Sequence, residues 1–153
     1  MTKPLKWSID WEHLTFKQRF LMGAPFVATE DKVHRDILQQ LNGRTEADIA
    51  AWDTYSAEVS QLAKDVAARL KVERIWPSSI FLPDDPADIP LGGHFGQTDR
   101  YDLAPAAFAI VEEEAGIKLN LAFWEGLSHM TYVQAVEQMI RQKAEQAGGT
   151  LRR

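Results

Sequence analysis

Chemistry in this chain would have to come from a short inventory of side chains. The histidines are His13, His34, His94 and His129, and none falls in the His-x-x-x-His or His-Glu-x-x-His spacing that places two imidazoles on one helical face. His94 lies in a Gly-Gly-His-Phe-Gly stretch, with Asp84, Asp85, Asp88 and Asp99 close in sequence. Imidazole among carboxylates is the donor set of an acid–base pair or a hard-metal site. The same aspartates stand beside proline and glycine, where Asp ordinarily serves turns, and that is the reading adopted. Ser78 and Ser79 follow a proline in no nucleophile elbow. Ser128 and His129 are neighbours in sequence, which does not give them a shared geometry. The glycines of Pro-Leu-Gly-Gly-His-Phe-Gly-Gln lack the Gly-Lys-Ser/Thr ending and the preceding strand of a phosphate loop. No cysteine is present, which removes disulfides, thiolate nucleophiles and cysteine-based zinc sites. No catalytic residue and no metal-ligating set is expected.

What remains is Glu112, Glu113 and Glu114, three consecutive carboxylates near a predicted helix C-terminus. Each opposes the helix macrodipole there by about 0.3–1 kcal/mol. They read as a solvated helix end or as a contact for a basic partner. The whole chain of 153 residues carries a formal net charge of −5. It has no domain-wide basic surface, so neither nucleic acid nor an anionic membrane is the expected partner. The start of the chain has no apolar signal core, and no apolar run approaches membrane-spanning length. A soluble, cytoplasmic protein is expected, with 45% hydrophobic residues and enough aromatic rings to seed one core.

The elements that would position these groups are helical. Asp10 caps a first amphipathic stretch carrying Trp11, Leu14, Phe16, Phe20 and Leu21, with a stop at Gly23. A second helix runs from about Thr29 to Leu41 and ends at Asn42-Gly43, two residues that accept a left-handed backbone. Thr45 and Asp48 resemble a capping box. After them Ile49, Trp52, Tyr55, Val59, Leu62, Val66 and Leu70 recur at helical spacing. That pattern predicts one helix of roughly 25 residues, about 38 Å long. Residues 76–101 then hold four of the seven prolines and three of the nine glycines. They predict a long ordered loop anchored by Ile75, Trp76, Ile80, Phe81, Leu82, Ile89, Leu91 and Phe95. Helix resumes with Asp102 as cap and Pro105 in its first turn, and Gly116 stops it. Ile117 and Leu119 plug inward, and a short turn covers Leu121–Glu125. Thr131 with Gln134 caps a last helix whose core face is Tyr132 or Val133, Val136, Met139 and Ile140. Gly148-Gly149 ends it, leaving 147–153 as a frayed tail. No segment alternates long enough for a sheet, so the expected class is all-α.

Long helix, long loop, helix, short helix, helix is the order of the acyl carrier protein family, which residues 45–146 resemble, best from residue 100 onward. Ala-Phe-Ala-Ile-Val-Glu-Glu-Glu-Ala-Gly-Ile-Lys-Leu resembles the family's second helix and its exit. Thr-Tyr-Val-Gln-Ala-Val-Glu-Gln-Met-Ile resembles the start of its fourth. The resemblance implies an acyl-carrier-like bundle. It also implies a serine opening the second helix to carry phosphopantetheine. Counting back from Glu112 by the family's spacing lands on Tyr101, in Arg100-Tyr101-Asp102, and no serine occurs between Ser79 and Ser128. Thr98 is the nearest alternative hydroxyl.

The resulting expectation is a carrier-like core at 45–146 with a two-helix extension at 1–44 packed on it or exchanged with a second copy as a homodimer. The function expected is non-catalytic contact with a protein partner through Phe95, Tyr101, Glu112, Glu113 and Glu114, without a cofactor. The alternatives are a phosphopantetheine carrier with a displaced attachment site and a binder of small apolar ligands.

Overall fold

The computed structural model describes residues 2–6, 35–91 and 100–151, with side chains at 2–6, 35–91 and 107–148. The predicted first helix at Asp10–Leu21, the start of the second at Thr29, His13, His34, His94, Asp99, Phe95 and Thr98 all lie outside the described residues. Those that are described form helices and connecting loops, with no strand and one isolated bridge between Pro86 and Thr131. The all-α class holds.

Residues 35–42 are helical and form α1, burying Ile37 and Leu41. The turn after it closes with the Gly43 and Arg44 amides donating to the Gln40 and Leu41 carbonyls. Neither Asn42 nor Gly43 takes a positive φ; among the described residues only Arg74 and Gly116 do. Glycine and asparagine permit a left-handed exit without imposing one, and here a right-handed turn suffices.

The single long helix expected after Thr45 is two pieces. A 3₁₀ helix covers Glu46–Thr54, Tyr55 is extended, and α2 covers Ala57–Val72. At its start the Asp48 carboxylate accepts from the Thr45 amide at 2.7 Å, as the capping box requires. Ser56 makes the break: its backbone is extended and its hydroxyl accepts from the Val59 amide at 3.2 Å, which is N-cap geometry. The Ser60 hydroxyl then donates to the Trp52 carbonyl at 2.9 Å and staples the two pieces. The apolar spacing runs through the break because both pieces face one core. Periodicity reports which side is buried, not whether the helix is continuous.

Helix α3 spans Arg100–Ala115. It already contains Arg100 and Tyr101, so Asp102 lies inside it rather than capping it, and Pro105 falls beyond the first turn. Its end matches expectation: Gly116 has φ 77° and its amide donates to the Glu112 carbonyl at 2.9 Å. Short helix α4 spans Leu121–Glu125, with the Asn120 side chain capping the Phe123 amide at 2.8 Å. Helix α5 spans Tyr132–Leu151. It continues through Gly148 and Gly149, where a stop was expected; interior glycine weakens a helix by only about 1 kcal/mol and does not force it to end. Helix α2 packs on both α3 and α5, and α3 meets α5.

The core is one cluster to which the loop after α2 contributes heavily. Ile75, Trp76, Phe81, Leu82, Ile89 and Leu91 are buried, as their apolar character predicts. Trp52, Phe81, Trp76 and Tyr132 meet edge-on, with ring centroids 5.6–6.2 Å apart. Such pairs add about 0.5–1.5 kcal/mol beyond the area they bury, provided their polar ends are satisfied. Here they are. Trp52 Nε1 donates to the Phe81 carbonyl at 2.9 Å, Trp76 Nε1 to the Pro90 carbonyl at 3.1 Å, and the Tyr132 hydroxyl to the Ala63 carbonyl at 2.5 Å. The loop also caps α5. The Tyr132 amide donates to the Asp85 carbonyl at 2.7 Å and the Val133 amide to the Pro83 carbonyl at 3.0 Å. Thr131 and Gln134 complete the cap, Gln134 Oε1 accepting from the Thr131 amide at 2.9 Å.

Two outcomes follow from this packing. Gly116→Ala places a Cβ on a left-handed backbone and lowers stability by about 1–2 kcal/mol in urea unfolding. Burial, reinforced by the negative charge of Asp85, raises the Tyr132 phenol far above its ordinary 10.0. The folded chain therefore keeps that proton while the unfolded chain loses it, so stability falls as pH rises above about 10. Tyr132→Phe costs about 1 kcal/mol at neutral pH. Comparing urea midpoints at about pH 9 and about pH 10.5 will show a smaller alkaline loss for the variant than for the parent chain.

Candidate functional site

Tyr101 and the acids Glu112, Glu113 and Glu114 lie near opposite ends of α3. Tyr101 is the second residue of α3. Where the expected carrier resemblance calls for a serine, this position holds a tyrosine. Upstream, the Ser78 hydroxyl accepts from the Ile80 amide at 3.1 Å in an ordinary serine turn.

The three glutamates are engaged within the chain. Arg69, near the C-terminus of α2, donates Nη2 to Glu113 at 2.9 Å and Nη1 to Glu114 at 3.0 Å. These two carboxylates, Glu113 first, hold the guanidinium more firmly protonated than usual. The cation sits where two acids would otherwise oppose the α3 macrodipole, and it ties the end of α2 to the end of α3. Glu112 turns the other way and accepts from the Leu119 amide at 2.7 Å, bracing the chain as it leaves the helix, with Lys118 at 3.8 Å. Glu113 keeps 63% of its side chain exposed and is the most accessible of the three.

Beside this end, α4 presents an apolar surface. Leu121 is 69% exposed. Trp124, one helical turn on, is half-buried and lies against Phe108 of α3 with ring centroids 4.1 Å apart.

The densest polar arrangement lies elsewhere. Arg44 and Asp85 form a buried, two-pronged ion pair, both contacts at 2.6 Å, with side-chain exposures of 2% and 0%. Asp85 also accepts from the Leu5 amide at 2.8 Å and the Leu82 amide at 2.7 Å. Arg44 donates further to the carbonyls of Ile80 at 3.0 Å and Lys3 at 3.2 Å. Burying a charge is tolerated when it is paired and further hydrogen-bonded, and here both carboxylate oxygens and both Nη groups carry an additional backbone partner.

The two partners are 41 residues apart, and sequence reasoning read Asp85 as turn chemistry and passed over Arg44. The available signal was an aspartate set among apolar loop anchors, which has to find a cation if those anchors are buried. Nothing in the residue pattern says which cation. Asp84 is exposed and Asp88 half-buried, and among the described residues no group of histidines and carboxylates is placed to hold a metal ion. No described helix is long and apolar enough to cross a membrane.

Arg44→Met leaves Asp85 charged and buried without its counter-ion. A loss of about 3–5 kcal/mol is expected in urea unfolding. A loss below about 1 kcal/mol would show the pair to be solvated and peripheral. In comparisons with known proteins, no family model, no curated protein and no solved structure matches this chain.

Proposed function

We propose that this chain is an acyl-carrier-like helical module that has lost the carrier's attachment chemistry and acts through non-catalytic contact with a protein partner. The observation that carries the reading is the tyrosine at position 101, the second residue of α3, where the family's spacing calls for serine. The order α2, loop, α3, short α4, α5, with α2 packed on both α3 and α5, supports the carrier-like part. The exposed Leu121 beside the Trp124–Phe108 pair supports the contact surface, since aromatic and aliphatic anchors with a polar rim are what interfaces use. Glu113 and the exposed Glu125 provide that rim. Of the other residues expected in the contact, Tyr101 lies at the opposite end of α3, and Phe95 lies outside the described residues.

Intact mass of the protein from its native host tests the reading, followed by incubation with a phosphopantetheinyl transferase and coenzyme A. The expected result is no added phosphopantetheine arm on the polypeptide and no change of mass on incubation. A gain of one phosphopantetheine arm would replace this reading with that of a carrier whose attachment residue is displaced, Thr98 being the first position to map. Leu121→Glu is expected to weaken retention of a native-host partner at least about tenfold while leaving the unfolding midpoint unchanged. Equal retention by parent and variant would move the contact surface away from α4.

A further inference from the structure

Residues 2–6 lie against the rest of the chain as an extended peptide lies in a receptor groove. The side-chain amide of Gln40 grips Lys6 at two points: Oε1 accepts from the Lys6 amide and Nε2 donates to the Lys6 carbonyl, each at 2.9 Å. Gln40 is itself held by Asp36, one helical turn earlier, at 2.9 Å. Asp85 accepts from the Leu5 amide at 2.8 Å, and Arg44 donates to the Lys3 carbonyl at 3.2 Å. The Thr2 hydroxyl donates to Asp48 and is the main reason that carboxyl is held below its ordinary value.

Among the described residues, the groups that grip the backbone of this segment are side chains, as in a peptide-binding site, rather than a neighbouring strand. What those groups read is main chain. Leu5 is the only residue of the five with its side chain buried, at 3% exposure, while Thr2, Lys3, Pro4 and Lys6 face outward. The groove therefore demands an extended backbone in one register and one apolar anchor. Open space remains on both sides of the segment. One cleft of about 680 Å³ is lined by Lys3, Leu5, Lys6, Asp36, Gln40 and Arg44. Another of about 510 Å³ includes Asp48, Ala51, Tyr55, Leu82 and Asp84. Lys3 and Lys6 share the first cleft with the Asp36 carboxylate, while Asp48 and Asp84 give the second an acidic lining.

We infer that the groove between α1 and the loop at residues 80–85 recognises an extended, lysine-flanked peptide through a single leucine-type anchor, and that residues 2–6 occupy it as an exchangeable internal ligand. Contacts limited to backbone, the buried Leu5 side chain and the Thr2 hydroxyl make the segment replaceable by a peptide that presents those groups in the same register. The concentration advantage of being attached keeps the segment in place until a competitor arrives or the segment is pulled away.

The test uses the full chain and a fluorescent peptide of sequence Thr-Lys-Pro-Leu-Lys-Trp, read by anisotropy. Leu5→Asp puts a charge where the anchor is buried and frees the groove. The peptide is expected to bind this variant at least about tenfold more tightly than the parent chain. Adding Gln40→Ala to Leu5→Asp, or replacing the peptide's leucine by aspartate, removes that binding. A folded Leu5→Asp chain, by circular dichroism, that binds the peptide no better than the parent overturns the inference, as does equal binding of the aspartate peptide. Native-state hydrogen exchange of the parent chain gives a second reading that needs no variant. The Leu5 and Lys6 amides are expected to exchange at least about tenfold faster than the Tyr132 amide, because the segment opens without global unfolding. Protection equal to that of Tyr132 would make the segment a fixed part of the core and sink the proposal.

Discussion

The structure depends on the burial of one ion pair. Arg44 and Asp85 are removed from water, and low-dielectric surroundings make any unmet hydrogen-bonding position on them expensive. Their satisfaction therefore dictates what else comes to the same place. Asp85 accepts from the amides of Leu5 and Leu82, and Arg44 donates to the carbonyls of Lys3 and Ile80. Three separate stretches of chain thus meet at one point: residues 2–6, the turn after α1, and the proline-rich loop. The loop's own backbone carries the constraint onward, because the Asp85 carbonyl accepts the first amide of α5. A shift of the pair would disturb the entry of the last helix as directly as it would release the leading segment.

The long loop is consequently a structural member. Its prolines remove donors that would otherwise need partners in the interior, and among its remaining amides those of Phe81, Asp85, Ile89 and Leu91 donate within the loop, that of Trp76 to Leu70 and that of Ala87 to Met130. Its aromatic and aliphatic residues enter the core beside these bonds. The same economy appears at the C-terminus of α3, where three acids in a row would weaken the helix. One arginine from α2 answers two of them, and the third is turned back onto the Leu119 amide. An acidic run that looks like a surface for a partner thereby also ties two helices together, with Glu113 alone left largely in water.

Local signals were readable where a few neighbouring residues settle the matter. The turn at Gly116, the short helix Leu121–Glu125, the Thr131/Gln134 cap and the buried loop anchors all appear as their spacing and chemistry imply. The break at Tyr55–Ser56 was missed because the apolar period passes through it undisturbed, although Ser56 carries a cap residue's signature. The start of α3 was placed two residues late because Asp102 is a good cap in isolation, and a cap preference of about 1 kcal/mol is easily overridden by packing.

The sequence by itself determined the helical class, the positions of most helix ends, which residues are apolar enough to be inside, and the absence of serine where α3 opens. These follow from side-chain chemistry acting over three or four neighbouring residues. Tertiary structure alone decided which charges and polar groups meet. Arg44 with Asp85, Arg69 with Glu113 and Glu114, and the Gln40 amide with the Lys6 backbone are separated by 41, 44, 45 and 34 residues. A charge in a sequence needs a partner once it is buried, but the need is the same for any cation or any carboxylate. Only the path of the chain through space selects one, and that path is set by the core as a whole.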